Sequence, residues 1–376
     1  MMKAMFTDPV GWWTALGRPL TRLPRLGAIA VLVALGLALA WTATATTDLA
    51  RSESSRIAAR SKDRIGDLEL YRRINARVEQ GESFYVASLA EQRSHNYPTQ
   101  PFVTVRLPTL AHIDAAVSDR TAKVVGGVML LLGIFFWIRV LDVPGTMMPG
   151  TMMVERIGVA ALLLLGGLGM FRESALRFHE MPAGMLLAIA MAIYWPGRWW
   201  PALVAAALAL SIRELALPFL MLWTAFALFQ RSWREAATLV AVMAVFAVGL
   251  YFHAQAVAPH VLPTDLKSPG WDALNGPRLP LYALARMSSL TVFPPWLGAC
   301  IALLPLLGWV ALGGRLGLFA TLWFTGFFLI MALFARTNNN YWVIMMLPAY
   351  AAGLAFVPRA LVELVQGALR GQKSQY

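Results

Sequence analysis

Cysteine and charged residues are both scarce in this sequence. Cys300 is the only cysteine among 376 residues, which excludes an intrachain disulfide and argues against dithiol redox chemistry. Charged residues make up 14% of the chain, whereas they make up about 25% of a typical soluble domain. Acidic residues are the scarcer sign, with 20 against 32 basic residues. The shortage of charge argues against a soluble globular protein.

Apolar residues are abundant instead, at 58% of the chain, and they are grouped in runs of about 15–22 residues, roughly the length that crosses a bilayer as a helix. Lipid offers no partner for backbone polar groups, so such runs must be helical. The sequence therefore predicts an all-α, polytopic transmembrane helical bundle with about ten spans. The predicted spans are Leu26–Ala45, Ala122–Leu141, Ile157–Met170, Met181–Tyr194, Trp199–Ile212, Leu215–Phe229, Ala236–His253, Leu290–Leu312, Leu316–Ala335 and Tyr341–Val357.

The distribution of charge divides the chain into five parts. These are a basic cytoplasmic N-terminus (1–25), a first transmembrane helix (26–46), an extracytoplasmic loop (47–120), a transmembrane bundle (121–357) and a cytoplasmic tail (358–376). A cleavable signal peptide is an alternative for the first run, since Ala43-Thr44-Ala45 resembles a small-residue cleavage site. We favour an uncleaved span because the basic region before it is long for a signal peptide.

The loop 47–120 holds half of the acidic residues and is too polar to cross lipid. It predicts two interfacial helices, Ser61–Gln80 and Ser83–Arg93, followed by a break at Tyr97-Pro98. The more apolar segment Phe102–Val117 reads either as a re-entrant piece or as a short span, and the sequence does not decide between them.

Basic residues indicate the orientation. In the short connections, more Lys and Arg fall on the side of the N-terminus, which places both termini in the cytoplasm and the loop 47–120 outside. The excess of basic charge suits this topology and contact with anionic lipids, so nucleic acid is not an expected partner. The Arg- and Ala-rich composition favours a bacterial inner membrane.

This topology places nearly all the notable polar residues on the outer face, which is the side of the loop 47–120. Asp67 shares a helical stripe with Tyr71, Ile74 and Val78, and a carboxylate on such a face can act as a general base. The alternative is an acid at a helix N-terminus that only favours the helix dipole.

Three further groups of polar residues have a structural and a functional reading each. His179-Glu180 closes a short loop, where Glu180 either stabilises a helix N-terminus or faces Asp67 across a cavity. Arg213-Glu214 is either a tight turn or an intramembrane charge pair. Arg336 with the Asn338–Asn340 run is either a plain loop or a site for a lipid phosphate.

The motifs of the outer loop carry a resemblance. Asp67-Leu68-Glu69-Leu70-Tyr71, Gly81-Glu82-Ser83-Phe84-Tyr85 and Tyr97-Pro98-Thr99-Gln100-Pro101 follow one another as in the first outer loop of GT-C glycosyltransferases that use polyprenyl-phosphate sugars. These include protein mannosyltransferases, aminoarabinose transferases and polyprenol-dependent mannosyltransferases. The stretch from Arg336 to Pro348 is similar to the last membrane segment of these enzymes.

The resemblance implies a function and a set of site residues. It implies an inverting glycosyltransferase that moves a sugar from polyprenyl phosphate to an acceptor, with Asp67 as the general base and Glu180 as a second catalytic carboxylate. The phosphate of the donor would be bound by Arg336, His179 and Arg213. The substrates would also contact Tyr71, Glu69, His95, Tyr97, Arg106, Glu173, Glu214, Asn338, Asn340 and Tyr341.

The same resemblance bears on partners and cofactors. The chain leaves little room for a soluble C-terminal domain, which favours a lipid-linked or glycan acceptor over a protein. No cofactor is expected beyond the polyprenyl-phosphate sugar; His95, His179 and Glu180 are possible ligands for a divalent metal, but their spacing is not that of a metal motif. A transporter or lipid flippase, or a non-catalytic assembly partner in the membrane, remains the alternative.

Overall fold

The computed structural model describes residues 8–58, 65–142, 150–168 and 178–370. The protein is 81% helical with almost no strand, as the sequence predicts. Within the described ranges the α-helices are α1 (Pro9–Leu16), α2 (Arg25–Ala58), α3 (Asp67–Glu79), α4 (Phe84–Ser94), α5 (Thr109–Ala116), α6 (Asp119–Asp142), α7 (Met153–Gly167), α8 (Glu180–Ile193), α9 (Trp200–Ile212), α10 (Leu217–Phe229), α11 (Trp233–Val257), α12 (Arg278–Met287), α13 (Pro295–Leu312), α14 (Gly314–Phe334), α15 (Leu347–Tyr350) and α16 (Val357–Leu369).

Six helical segments in the described part of the chain are long and apolar enough to cross a membrane, as expected for an integral membrane protein. They are Arg25–Glu53, Asp119–Asp142, Trp233–His260, Pro295–Leu312, Gly314–Phe334 and Leu347–Leu369. Three more apolar helices are shorter. A helix of about 14 residues is about 21 Å long, less than the roughly 30 Å of hydrocarbon in a bilayer. The structure thus supports six spans by length, and the count of about ten stays a prediction.

The short apolar helix α8 lies at the centre of the molecule. Nearly every residue of α8 is buried, and α8 packs against α6 and α9. Trp137 of α6 donates through Nε1 to the carbonyl oxygen of Ala188 in α8, at 3.1 Å. Protein encloses α8, so its length need not match the bilayer. The neighbouring helices α9 and α10 each keep an exposed apolar face, on which Val204, Leu208 and Met221 are more than half exposed.

The chain between Thr337 and Phe356 differs from the single span predicted at Tyr341–Val357. It consists of a 3-10 segment (Thr337–Met345), the short helix α15 and a second 3-10 segment (Ala351–Phe356). Pro348 lacks a backbone N–H and begins a new helix rather than continuing one. Residues 358–369 of the predicted cytoplasmic tail belong to α16, which packs against α2 and α13 and lies within the apolar segment Leu347–Leu369; the tail itself stays a prediction.

Gly308 of α13 and Gly353 lie where these two parts of the chain cross. A Cβ atom at position 308 would stand 1.8 Å from the carbonyl oxygen of Gly353. Such an approach of two backbones requires glycine, and small residues are the usual means of close helix contact in membranes. The broken segment is therefore held by backbone packing.

We expect Gly308→Ala to lower the free energy of unfolding by about 1–3 kcal/mol, because the added methyl group forces the two backbones apart. Thermal unfolding in detergent measures the change. Gly326→Ala in α14 is the matched control, since nothing lies within 4 Å of a Cβ atom there. Equal melting temperatures for the two variants would contradict the role of the crossing.

The polar segment, residues 65–120 of the loop, folds as a small helical layer. Leu70, Ile74, Phe84, Leu89 and Val105 form its core together with Val257 of α11. The helix α5 has 8 residues and packs against α3. At about 12 Å it is too short to cross a bilayer. Of the two readings of Phe102–Val117, the geometry excludes the span.

Asp265 fastens the connection after α11 to this layer. Its carboxylate accepts from Arg93 Nε at 2.6 Å and Nη2 at 2.9 Å, from Thr99 Oγ1 at 2.9 Å and from the backbone N–H of Leu262 at 3.0 Å. The hydrogen bond and charge of Arg93 hold the pKa of Asp265 below its usual range. Next to it, the backbone N–H of Thr99 donates to Leu266 and that of Ser268 donates to Gln100, so the same connection is also joined to the layer by backbone hydrogen bonds.

Because the folded protein lowers the pKa of Asp265, the contact should stabilise the connection at neutral pH and weaken as the pH falls below about 4, the usual value for aspartate. Asp265→Asn should produce the same loosening at pH 7, with roughly tenfold faster amide exchange over residues 262–268. Hydrogen–deuterium exchange measures both effects. The exposed Asp272 supplies the control, Asp272→Asn; unchanged exchange in Asp265→Asn would contradict the prediction.

Candidate functional site

A cavity of about 1010 Å³ lies between the polar segment and the ends of the buried helices. Separate stretches of the chain line it, at 65–111, 178–181, 213–215, 268–287 and 336–344, with one residue from α2, Glu53. The predicted site residues that line it are Asp67, Tyr71, Tyr97, Arg106, His179, Arg213, Glu214, Arg336, Asn338, Asn340 and Tyr341. Residues remote in sequence thus share one chamber.

The remaining predicted residues lie elsewhere. Glu69 points away from the lining of the cavity and pairs with Arg72 and Arg73, whose hydrogen bonds lower the pKa of Glu69 to about 2. His95 contacts the carbonyl oxygen of Glu91 at 2.9 Å and does not line the cavity. Nothing in the geometry supports a substrate contact for Glu69 or His95. Glu173 lies outside the described residues.

Asp67 is the first residue of α3 and is half-buried at the edge of the cavity. Tyr97 is buried and donates through its hydroxyl to Asp67 Oδ1 at 2.7 Å, with the Ile65 carbonyl oxygen also at 2.7 Å. The helix N-terminus favours the negative charge of the carboxylate. Asp67 therefore has the position that both interpretations require: it begins a helix, and it lines the cavity where a base would meet substrate.

Arg106 connects the polar segment to the helix ends. It donates from Nε to the hydroxyl of Tyr71 at 3.0 Å and from Nη2 to the hydroxyl of Tyr341 at 2.8 Å. Its Nη1 lies 3.9 Å from Glu214 Oε1. Burial raises the pKa of Tyr71, so its phenol stays neutral and accepts from Arg106. One guanidinium thereby holds the hydroxyl groups of both Tyr71 and Tyr341.

Arg213 follows α9 and is enclosed by two carboxylates. Its Nε lies 2.6 Å from Glu180 Oε1, and its Nη1 is paired with Glu214. The side chains of Arg213 and Glu180 are 1% and 2% exposed, whereas that of Glu214 is 30% exposed. Glu180 does not line the cavity but stands behind Arg213. The chain turns at Arg213-Glu214, and this turn lies buried in the wall of the cavity.

His179 lies beside this pair at the start of α8. It is 5% exposed, and its ring packs edge-on against Tyr71 with 5.1 Å between centroids. Burial, reinforced by Arg106 and Arg213, holds the pKa of His179 well below its usual range. The imidazole is therefore neutral at pH 7. A neutral imidazole can still form a hydrogen bond with phosphate, but it supplies no positive charge.

Arg336 lies in the short connection between α14 and the 3-10 segment Thr337–Met345. The side-chain oxygen of Asn339 accepts from the Arg336 backbone N–H at 3.2 Å and from its Nε at 3.4 Å. Asn339 is buried, so the asparagine run serves partly to orient this arginine. The amides of Asn338 and Asn340 line the cavity as well.

Several lining residues escaped the sequence reasoning. Trp271 lies in the Gly- and Pro-rich connection 259–280, and Met287 ends α12, a helix between two of the predicted spans. The run Leu279–Ala285 is buried throughout, which its apolar composition could have indicated. The polar residues Asn75 and Gln92 lie on predicted helices, but no spacing distinguishes them from surface residues.

Among the residues that the structure describes, no three His, Cys, Asp or Glu side chains come together as metal ligands do. The cavity does combine a carboxylate at a helix N-terminus, arginines, tyrosine hydroxyl groups and a neutral histidine, together with apolar walls. No family model, curated protein or solved structure matches this chain, so the function must be argued from the geometry of this cavity.

Proposed function

We propose that this protein is an inverting glycosyltransferase of the GT-C type, which moves a sugar from a polyprenyl-phosphate donor to a lipid-linked or glycan acceptor. The observation that carries the proposal is that Asp67 and Arg336, from opposite ends of the chain, line the same cavity. Glycosyl transfer of this kind needs a base near the acceptor and a cation near the leaving phosphate.

The reaction uses these two residues on opposite sides of the anomeric carbon. Asp67 takes the proton of the acceptor hydroxyl, whose oxygen forms a bond to the anomeric carbon from the face opposite the phosphate. The bond between that carbon and the phosphate oxygen breaks, and its electron pair leaves with the polyprenyl phosphate. Arg336 stabilises the charge that develops there. The product sugar has inverted configuration.

The other charged residues shape the chamber. Arg213 is balanced by Glu180 and Glu214 and so is better suited to hold these carboxylates in place than to neutralise phosphate. Arg106 holds the hydroxyl groups of Tyr71 and Tyr341 in place through two hydrogen bonds. The apolar lining residues Trp271, Met287 and Ile344 suit the isoprenoid end of a lipid donor. We place the protein in a bacterial inner membrane with both termini in the cytoplasm. The site then opens on the opposite, extracytoplasmic side.

The proposal is tested with the purified full chain in detergent, a radiolabelled polyprenyl-phosphate hexose and a pool of lipid-linked and glycan acceptors. We expect label to move from the donor to an acceptor with release of polyprenyl phosphate. Reconstituted liposomes distinguish a glycosyltransferase from a lipid flippase, because a flippase carries the labelled lipid across the bilayer without cleaving it. Translocation of the intact donor without cleavage would refute glycosyl transfer.

A further inference from the structure

The side of the cavity next to α8 and α9 carries as many positive as negative charges. We call it the paired wall: Arg106, His179, Arg213 and Glu214 line the cavity, and Glu180 stands directly behind Arg213. Arg213 contacts both carboxylates, and Arg106 approaches Glu214 at 3.9 Å. Two arginines thus meet two glutamates, and the wall as a whole presents hydrogen-bonding groups without net charge.

His179 holds an unused polar atom in this wall. Its Nδ1 is buried and has no hydrogen-bond partner among the described residues, and the residue lines the cavity. A buried polar atom without a partner is unfavourable, and the His179 ring lines the cavity, so a rotation of the ring that brings Nδ1 to a hydrogen-bonding ligand there is favoured. With its pKa held low, the imidazole offers this ligand one neutral hydrogen bond.

We infer that the paired wall receives the sugar of the donor, that this sugar is uncharged, and that His179 is a specificity-determining residue that hydrogen-bonds one of its hydroxyl groups. The inference rests on the proposed function. Hydroxyl groups donate to Glu214 and accept from Arg106, while a carboxylate or ammonium group on the sugar would lose its hydration without meeting an excess of opposite charge.

Binding of four lipids to the wild-type protein without acceptor tests the inference. Their polyprenyl phosphate is identical, and they carry a neutral hexose, the corresponding hexuronic acid, the 6-amino-6-deoxyhexose or no sugar. We expect the neutral hexose lipid to bind roughly tenfold or more tightly than either charged analogue, by native mass spectrometry. Equal or tighter binding of a charged analogue would overturn the inference, as would equal binding of the lipid without sugar.

His179→Leu separates contact with the sugar from contact with the phosphate. It should weaken binding of the hexose lipid roughly fivefold and leave binding of the lipid without sugar unchanged. His179→Gln, which keeps a polar group, should lose less affinity for the hexose lipid. His112→Leu is the matched control, because His112 is exposed on α5 and does not line the cavity. An equal loss for both lipids would assign His179 to the phosphate and overturn the inference.

These outcomes are independent of turnover. If the order of binding is as expected but no transfer is detected in the presence of acceptors, the glycosyltransferase proposal fails while the neutral sugar site stands. If transfer occurs but a lipid with a charged sugar binds more tightly, the glycosyltransferase proposal is supported and the inference of a site for an uncharged sugar is refuted. The comparison of lipids on the unaltered protein also keeps the inference testable where a His179 variant does not fold.

Discussion

Asp67→Asn is expected to reduce the rate of sugar transfer by about 10²–10⁴-fold, the usual contribution of a general base. Asparagine has nearly the same shape as aspartate and can still accept the hydrogen bond of Tyr97 through Oδ1. It cannot take up the proton of the acceptor hydroxyl. Donor binding and thermal stability should therefore stay close to those of the wild type while turnover falls.

The matched control is Glu79→Gln, at the other end of the same helix. Glu79 is exposed and does not line the cavity, so its loss of charge should leave the transfer rate unchanged. The competing view of Asp67, an acid that only stabilises the start of α3, predicts something different. It requires a loss of about 0.3–1 kcal/mol of stability with turnover intact. An active Asp67→Asn enzyme would thus remove Asp67 from the mechanism.

Helix positions were predictable where a long apolar run ends at charge or proline. Asp119–Asp142, Trp200–Ile212 and Gly314–Phe334 lie within a few residues of their predicted bounds. The number of spans was less predictable, because α8 is as apolar as a membrane span but is surrounded by protein, and its apolar neighbours α9 and α10 are too short to cross a bilayer. Hydropathy reports removal from water and does not distinguish protein from lipid around the helix.

The candidate site was likewise predictable only in part. A topology argument could place His179, Arg213 and Arg336 on one side of the membrane, since each lies near the end of an apolar run. It could not show that Arg213 is enclosed by Glu180 and Glu214, or that His179 is neutral. Pairing and burial depend on which helix ends meet, and this is set by tertiary packing that no single stretch of sequence contains.

Arg213→Ala is expected to cost the folded protein about 3–5 kcal/mol, because it removes the cation from a buried carboxylate. Glu180 is enclosed almost completely, so water cannot replace the guanidinium without opening the wall between α8 and α9. The loss should appear as a large fall in thermal stability in detergent and in the yield of folded protein. Arg234→Ala, which removes an exposed arginine at the start of α11, should change neither.

A second substitution determines whether the cost comes from the stranded charge or from lost packing. In Arg213→Ala with Glu180→Gln, no buried carboxylate is left without a cation, so most of the lost stability should return. Lost packing volume would not return, since glutamine is the size of glutamate. A double variant as unstable as Arg213→Ala alone would show that the arginine acts mainly by filling space. In that case the balance of charge in the paired wall would no longer be the reason for its structure.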